Sequence, residues 1–324
     1  MSRRESPFGA RLLASADALQ QRHAVLGFPY AVVKKYVDDA GGRHAALITY
    51  YGFLSIFPLL LVAVSILSWA LVNNPALRAD MVDALVPPAL QETVTTALSV
   101  MPTSGVPLAV GIIGLLFSAT GVVMSAYRAL NHVAAVPLRS RLGFLGRYAR
   151  VLLMLVILLA GGLVVAALTV AAGALPDVGE LQRFAAGASS ALVVFLVLIS
   201  SARVLVERPV PWRSTWPAAA AGALAIAAVL SVGARLVSAL VVRSGPVYGS
   251  FATVAGIFAL LFVVSQTLLY AAEAAIVRHQ RLWPRALDPS RPTTADMRAL
   301  TRLATEQERI PAQRITVEFT PPGE

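Results

Sequence analysis

Two ionisable residues, Arg235 and Glu273, lie inside apolar stretches of this sequence, where a charge is costly enough to need a partner or a task. Polar residues recur around them at helical spacing. Tyr51, Ser55 and Pro58 share one face, Ser231, Arg235 and Ser238 a second, and Gln266, Tyr270 and Glu273 a third. Hydroxyls, an amide and a guanidinium are binding groups: together they would hold a small solute, and the cationic Arg235 would favour an anionic one. Two arrangements fit Arg235, lining a cavity or snorkelling outward to the interface. Arg235 falls roughly 10 Å inside the external end of its run and Glu273 roughly 6 Å inside the cytoplasmic end, at 1.5 Å per residue. In a core about 30 Å thick they are too far apart to pair. Glu273 shares its depth with Arg128, Arg150 and Arg203. A buried ion pair with Arg128 or Arg203 is expected, as a structural brace in preference to a proton-coupling site.

Bond-breaking chemistry has little to work with. The four histidines (His23, His44, His132, His279) show no ligand spacing, cysteine is absent, and the acidic residues are scattered. Neither a phosphate-cradling glycine loop nor a nucleophile elbow is present. The chain is expected to be no enzyme, with no catalytic residue, no metal and no cofactor. The formal charge of +10 does not point to nucleic acid, because the arginines sit in short loops beside apolar runs, facing anionic lipid headgroups.

The elements that must position these groups are six apolar runs, roughly 46–72, 105–127, 149–175, 185–205, 217–242 and 250–277. Each has the roughly 20 residues a helix needs to cross a bilayer. Composition agrees: 57% of the chain is hydrophobic and 14% charged, against about 25% charged in soluble domains. Lys and Arg in the successive connecting segments, counting Arg150 and Arg203 at the ends of the adjoining runs, number seven, one, five, one, three, one and eight. That alternation predicts both termini, and the loops at 128–148 and 206–216, on the cytoplasmic side. The expected fold is all-α: a polytopic protein with six transmembrane helices, multi-pass in the bacterial plasma (inner) membrane. No cleaved leader is expected ahead of the first run.

Three regions follow: a cytoplasmic amphipathic segment over 1–43, a six-helix transmembrane domain over 44–278, and a cytoplasmic, largely disordered tail over 279–324. In the first, Leu12, Leu13, Ala16 and Leu19, then Val33, Tyr36 and Val37, recur at helical spacing beside Lys34 and Lys35, which suits helices at the membrane interface. The long external connection, 73–104, reads as two short helices. In the tail one short helix, about 294–309, is expected. Small residues form stripes on the second and sixth runs (Gly111, Gly114, Ser118, Gly121, Ser125; Ala252, Gly256, Ala259), expected at close helix contacts. Leu260 and Val264, off the sixth-run stripe, are expected to tolerate exchange.

The run from His44 to Leu59, containing Leu54-Ser55-Ile56-Phe57-Pro58, resembles the first-span signature of the YihY/BrkB membrane proteins. Ala129-Leu130-Asn131, Pro217 with Gly222-Ala223, Tyr248-Gly249-Ser250 and Ala272-Glu273 are similar to that family's later landmarks, in order. Ala271 stands where the family usually has Gly and Phe262 where Trp is common. The resemblance implies six helices with both termini inside. Family members carry labels such as virulence factor and, historically, ribonuclease BN, so it implies fold and location better than activity.

Two functions fit. One is a permease or exporter of a small, anionic solute, driven by a gradient or a partner. The other is a non-transporting envelope scaffold, or lipid-interacting protein, contacting anionic lipids of the bilayer. The first needs a polar cavity bounded by Tyr51, Ser55, Pro58, Ser231, Arg235, Ser238, Gln266 and Tyr270.

Overall fold

A computed structural model describes residues 7–73, 105–173, 180–208, 210–248 and 250–320. Its helices are α1 (Pro7–Arg22), α2 (Ala24–Asp38), α3 (Gly41–Asn73), α4 (Gly105–Val133), α5 (Phe144–Gly173), α6 (Glu180–Val204), α7 (Trp212–Tyr248), α8 (Ser250–Gln280) and α9 (Thr294–Glu306). Among the described residues, parts of α3, α4, α5, α7 and α8 are long and apolar enough to cross a membrane. In α6 the apolar portion is the shorter Ala191–Val204. The fold is thus all-α and polytopic. The two helices expected within 73–104 fall almost wholly outside the described residues.

The side chains sort as lipid-facing helices require. Phe117, Leu145, Leu159, Leu163 and Leu224 are among many large apolar residues left exposed on the long helices. In a bilayer that exposure is not a penalty, because lipid tails are as apolar as leucine. What holds such helices together is close packing and interhelical hydrogen bonding.

The chain divides into two compact units, Tyr50–Val122 and the remainder, Met1–Thr49 with Val123–Glu324. In the smaller unit α3 and α4 pack through small residues: Gly114 faces Pro58, Gly111 faces Val62 and Gly121 faces the ring of Tyr51. These are the glycines of the expected stripe. A Cβ on Gly114 would come within 3.1 Å of the Pro58 ring.

In the larger unit, α8 packs along α7 on one side and against α2 on another. Gly222 of α7 approaches Ala271 of α8 so closely that a Cβ there would stand 2.6 Å from the alanine methyl. Gly233 is covered by Leu260, and Val264 packs against the cluster of Leu198, Ala219, Ala223 and Ile226. Leu260 and Val264, expected to tolerate exchange among apolar residues, thus both make helix contacts, whereas Ala259, expected at a close contact on the small-residue stripe, is exposed. A helix with neighbours on two sides has more than one packing face, and small residues alone do not mark which side is covered.

The terminal segments differ most from expectation. The tail expected to be largely disordered is ordered from 281 to 320. Leu282 and Ala286 are fully buried, Leu282 against Val32, Val277 and Ile276. Thr293 caps α9 in a reciprocal capping box with Asp296. Proline-rich polar composition suggested disorder, but the proline-containing stretch here is anchored by partners distant in sequence. On α2 the buried stripe is Gly27, Ala31, Val32, Lys35 and Tyr36. Val33 and Val37, expected on one face with Tyr36, point outward instead and are exposed.

Candidate functional site

The site is assembled where α2, the start of α3, the end of α4 and the end of α8 converge. Ala31, Lys35 and Asp39 repeat every four residues, so they lie along one line of α2 and its C-cap. The helix stops there because Ala40 takes a left-handed backbone (φ 50°), and the end is capped by the Asp39 N–H donating to the Lys35 carbonyl and the Ala40 N–H donating to the Val37 carbonyl. Lys35 points inward, and its ammonium is satisfied three times. It donates to the Asp39 carboxylate and to the Val133 carbonyl at 2.9 Å, and it lies 2.9 Å from Glu273 Oε2. Burial alone would depress the Lys35 pKa. The two carboxylates outweigh it and hold the value above that of an ordinary lysine, so the group is an ammonium.

Glu273 is 0% exposed. Its contact with Lys35 is an ion pair, and neither carboxylate oxygen accepts a hydrogen bond among the described residues. One turn back along α8, Tyr270 stacks on Tyr36 with ring centroids 4.1 Å apart, and Gln266 donates to the Tyr36 hydroxyl at 3.3 Å. Below Asp39 the network continues outward. His132 places Nε2 3.1 Å from the Asp39 carbonyl and Nδ1 2.7 Å from Glu306 at the end of α9. Its ring centroid is 5.0 Å from that of His44. Arg141 holds the other oxygen of Glu306 at 2.5 Å. A pocket of about 20 Å³ opens beside Lys35, Asp39, His132 and Gln280, room for about one water.

A second polar knot ties the tail to the N-terminal helices. Arg285 is 1% exposed, donating to Asp296 at 2.5 Å and to Asp38 at 2.7 Å. Gln20 of α1 donates to the Arg285 carbonyl, and Lys34 lies 3.0 Å from Asp296. Burial pushes the Asp296 carboxyl upward, but hydrogen bonds from Ala286, Arg285 and Thr293 overcome it and hold its pKa far below the ordinary range.

The expected partner of Glu273 is corrected by this geometry. It pairs with Lys35, not with Arg128 or Arg203. Arg128 is exposed, and the Arg203 guanidinium lies 5.8 Å over the Trp212 ring. A lysine from a helix before the first span took the place assigned to a rim arginine. Sequence depth along the spans had no way to register α2. One signal was available: Lys35 falls on the line of Ala31, whereas Lys34 does not.

The expected cavity residues are only partly assembled. Gln266 and Tyr270 meet through Tyr36, but Ser231 and Arg235 are exposed on α7, with Ser231 Oγ donating to the Ala228 carbonyl. The side chain of Ser238 lies outside the described residues. Tyr51, Ser55 and Pro58 belong to the smaller unit. There Ser55 donates to the carbonyl of Tyr51, and Pro58 lines an apolar recess of about 370 Å³ with Leu54, Phe57, Leu61, Val110 and Phe117.

Residues 32–296 match the family model described as Virulence factor BrkB. The chain belongs to the BrkB family. No curated protein and no solved structure matches it. The matched span of this BrkB-family chain takes in Lys35, Asp39, His132, Glu273, Arg285 and Asp296, and stops short of Glu306. Both polar knots therefore lie almost entirely inside the family region. Asn131, in the Ala-Leu-Asn element, is 0% exposed. It donates to the carbonyls of Tyr127 and Leu205 and accepts from the Glu207 N–H, which pins the connection between α6 and α7 to α4.

Proposed function

We propose that this BrkB-family chain is a permease or exporter of a small, anionic solute. In this reading it crosses the bacterial inner membrane six times, with α6 as the fourth span and both termini cytoplasmic. Its work is binding and passage, not bond cleavage. The observation that carries the reading is the succession Gln266, Tyr270 and Glu273 down one stripe of α8, met by Tyr36 and Lys35 of α2. Polar groups along a membrane helix avoid lipid. Here they end against an interfacial helix that closes their cytoplasmic side. Arg235 is exposed on α7 apart from that stripe; in this reading it is a separate contact for the solute, because a guanidinium binds a carboxylate or phosphate through two parallel hydrogen bonds. Flux of a panel of small anions into reconstituted vesicles tests it. Arg235→Leu should abolish flux and Arg235→Lys should retain only part, since a lysine lacks the fork. Unchanged flux in the Leu variant would remove Arg235 from the site.

A second reading, a non-transporting envelope scaffold or lipid-interacting protein, is favoured by the recess around Pro58. Its lining is almost entirely carbon, and Ser118, one of its few polar groups, bonds back to the Gly114 carbonyl. Absence of flux for every anion tested, together with retention of co-purifying lipid, would favour this reading over transport.

A further inference from the structure

Three ionisable side chains meet in the buried contact between α2 and α8, and they do not balance. Lys35 brings one positive charge, and Asp39 and Glu273 can bring two negative ones. The side chains of Lys35 and Asp39 are each 7% exposed and that of Glu273 0%. A buried charge without a counter-charge is one of the costliest features a fold can carry, and groups so placed neutralise instead. The ammonium is secured by three oxygens. Asp39 sits at the pocket beside His132 and holds the Lys35 ammonium directly. Glu273 is the deepest: its Oε2 meets only the Lys35 ammonium, at 2.9 Å, and its Oε1 accepts no hydrogen bond among the described residues. A carboxylate in that position has nothing but a cation shared with Asp39 to keep it ionised.

We propose that Glu273 is a proton-binding site, loaded through the small pocket at the cytoplasmic end and neutralising the Lys35–Asp39–Glu273 cluster when occupied. In the loaded state the cluster holds an ammonium, a carboxylate and a carboxylic acid, with no net charge. Release of the proton from the Glu273 carboxyl to water leaves one uncompensated negative charge. The route is short. Gln280, one of the pocket's lining residues, has a buried side-chain oxygen with no partner, an acceptor suited to one ordered water between His132 and Asp39.

The groups that set the affinity come from every packed element. Lys35 and the phenol of Tyr36 come from α2, Asp39 from its cap, His132 from the end of α4, and Tyr270 from α8 itself. Glu306 of α9 bears on His132, and Arg302 of α9 lines the pocket together with Asp38 and Asp39. The charged residues of α7 described at side-chain level, Arg213 and Arg235, are exposed and away from it. Deprotonation would place repulsion between Glu273 and Asp39 across the α2–α8 contact, so the proton is what lets α2 lie closed on α8. This holds whether or not the protein transports.

Infrared difference spectroscopy of the full-length protein in nanodiscs reads the acid directly, through the carbonyl stretch of a buried, protonated carboxyl. Wild type should show such a band that disappears as pH rises, and Glu273→Gln should lack it. Two further variants shift the midpoint in opposite directions. Asp39→Asn removes a like charge and should move it down, and Lys35→Met removes the opposite charge and should move it up, each by about one pH unit or more. Absence of the band in wild type overturns the proposal, as does a band that survives in Glu273→Gln or midpoints unmoved by both neighbours. Because Asp39→Asn keeps Lys35 paired with Glu273, it yields a readable protein even if Lys35→Met does not fold.

Discussion

Lys35 on α2 and Glu273 on α8 stand 2.9 Å apart, nitrogen to oxygen, buried between a helix that precedes the first long apolar run and one long and apolar enough to cross a membrane. The pair is lopsided. Lys35 has Asp39 and the Val133 carbonyl as well, whereas Glu273 has no second cation in contact among the described residues. Truncating the two sides should therefore not be equivalent. Lys35→Met leaves two buried carboxylates without a cation and should cost about 3–5 kcal/mol. Glu273→Gln leaves Lys35 satisfied by Asp39 and should cost distinctly less. Thermal unfolding of the detergent-purified variants gives the order, and a larger loss for Glu273→Gln would contradict it.

Acid should release the tail before it unfolds the spans. Asp296 has a folded pKa below its unfolded one, so its contribution is fully present above the ordinary carboxylate range, near pH 3.9, and is lost as pH falls toward the folded value. With it goes the anchor of Arg285. Limited proteolysis across an acid series should cut within 281–320 as pH falls below that range. Asp296→Ala should give the same cleavage at neutral pH, because it leaves the buried Arg285 guanidinium underpaired.

The α7–α8 contact should respond to a single methyl group. Gly222→Ala would press its Cβ on Ala271 and should lower stability by about 1–3 kcal/mol. Gly52, on α3, has open space where a Cβ would go. Gly52→Ala should be neutral or stabilising by up to roughly 1 kcal/mol, the helix-propensity gain. Equal melting shifts for the two variants would show that Gly222 is not at a close approach.

Orientation is testable because the chain has no cysteine. Single cysteines at Thr103, Asp177 and Gly245 should react with an impermeant reagent applied to intact cells' outer face of the membrane. Cysteines at Ser140 and Ser290, both exposed, should react only after the membrane is opened. The reverse pattern would invert the topology.

Much of this molecule was legible without coordinates. Helical class, five of the six long apolar runs and the close α3–α4 stripe through Gly111, Gly114 and Gly121 all follow from local chemistry. Backbone groups in lipid must bond within their own segment, and small residues at steps of three and four lie on one line of one helix. Membership of the BrkB family was likewise visible in the Leu-Ser-Ile-Phe-Pro run and its companions. The inward turn of Gln266, Tyr270 and Glu273 came from the same periodicity.

What periodicity does not carry is the identity of a partner on another element. Lys35 rather than an arginine meets Glu273 because α2 folds back onto the end of α8, a contact between residues near opposite ends of the chain. The tail is ordered for the same reason. Asp296 and Arg285 find Asp38, Lys34 and Gln20 only once α1 and α2 are in place, and no window of local sequence contains both halves of that knot. Local pattern therefore marked some of the residues that turn inward, Gln266, Tyr270 and Glu273 among them, and misplaced others such as Val33, Val37 and Arg235. Which inward residues meet, and hence where the unbalanced charge lies, was decided by tertiary packing alone, because a buried charge is stabilised by whichever counter-charge the fold brings within contact, whatever its distance along the chain.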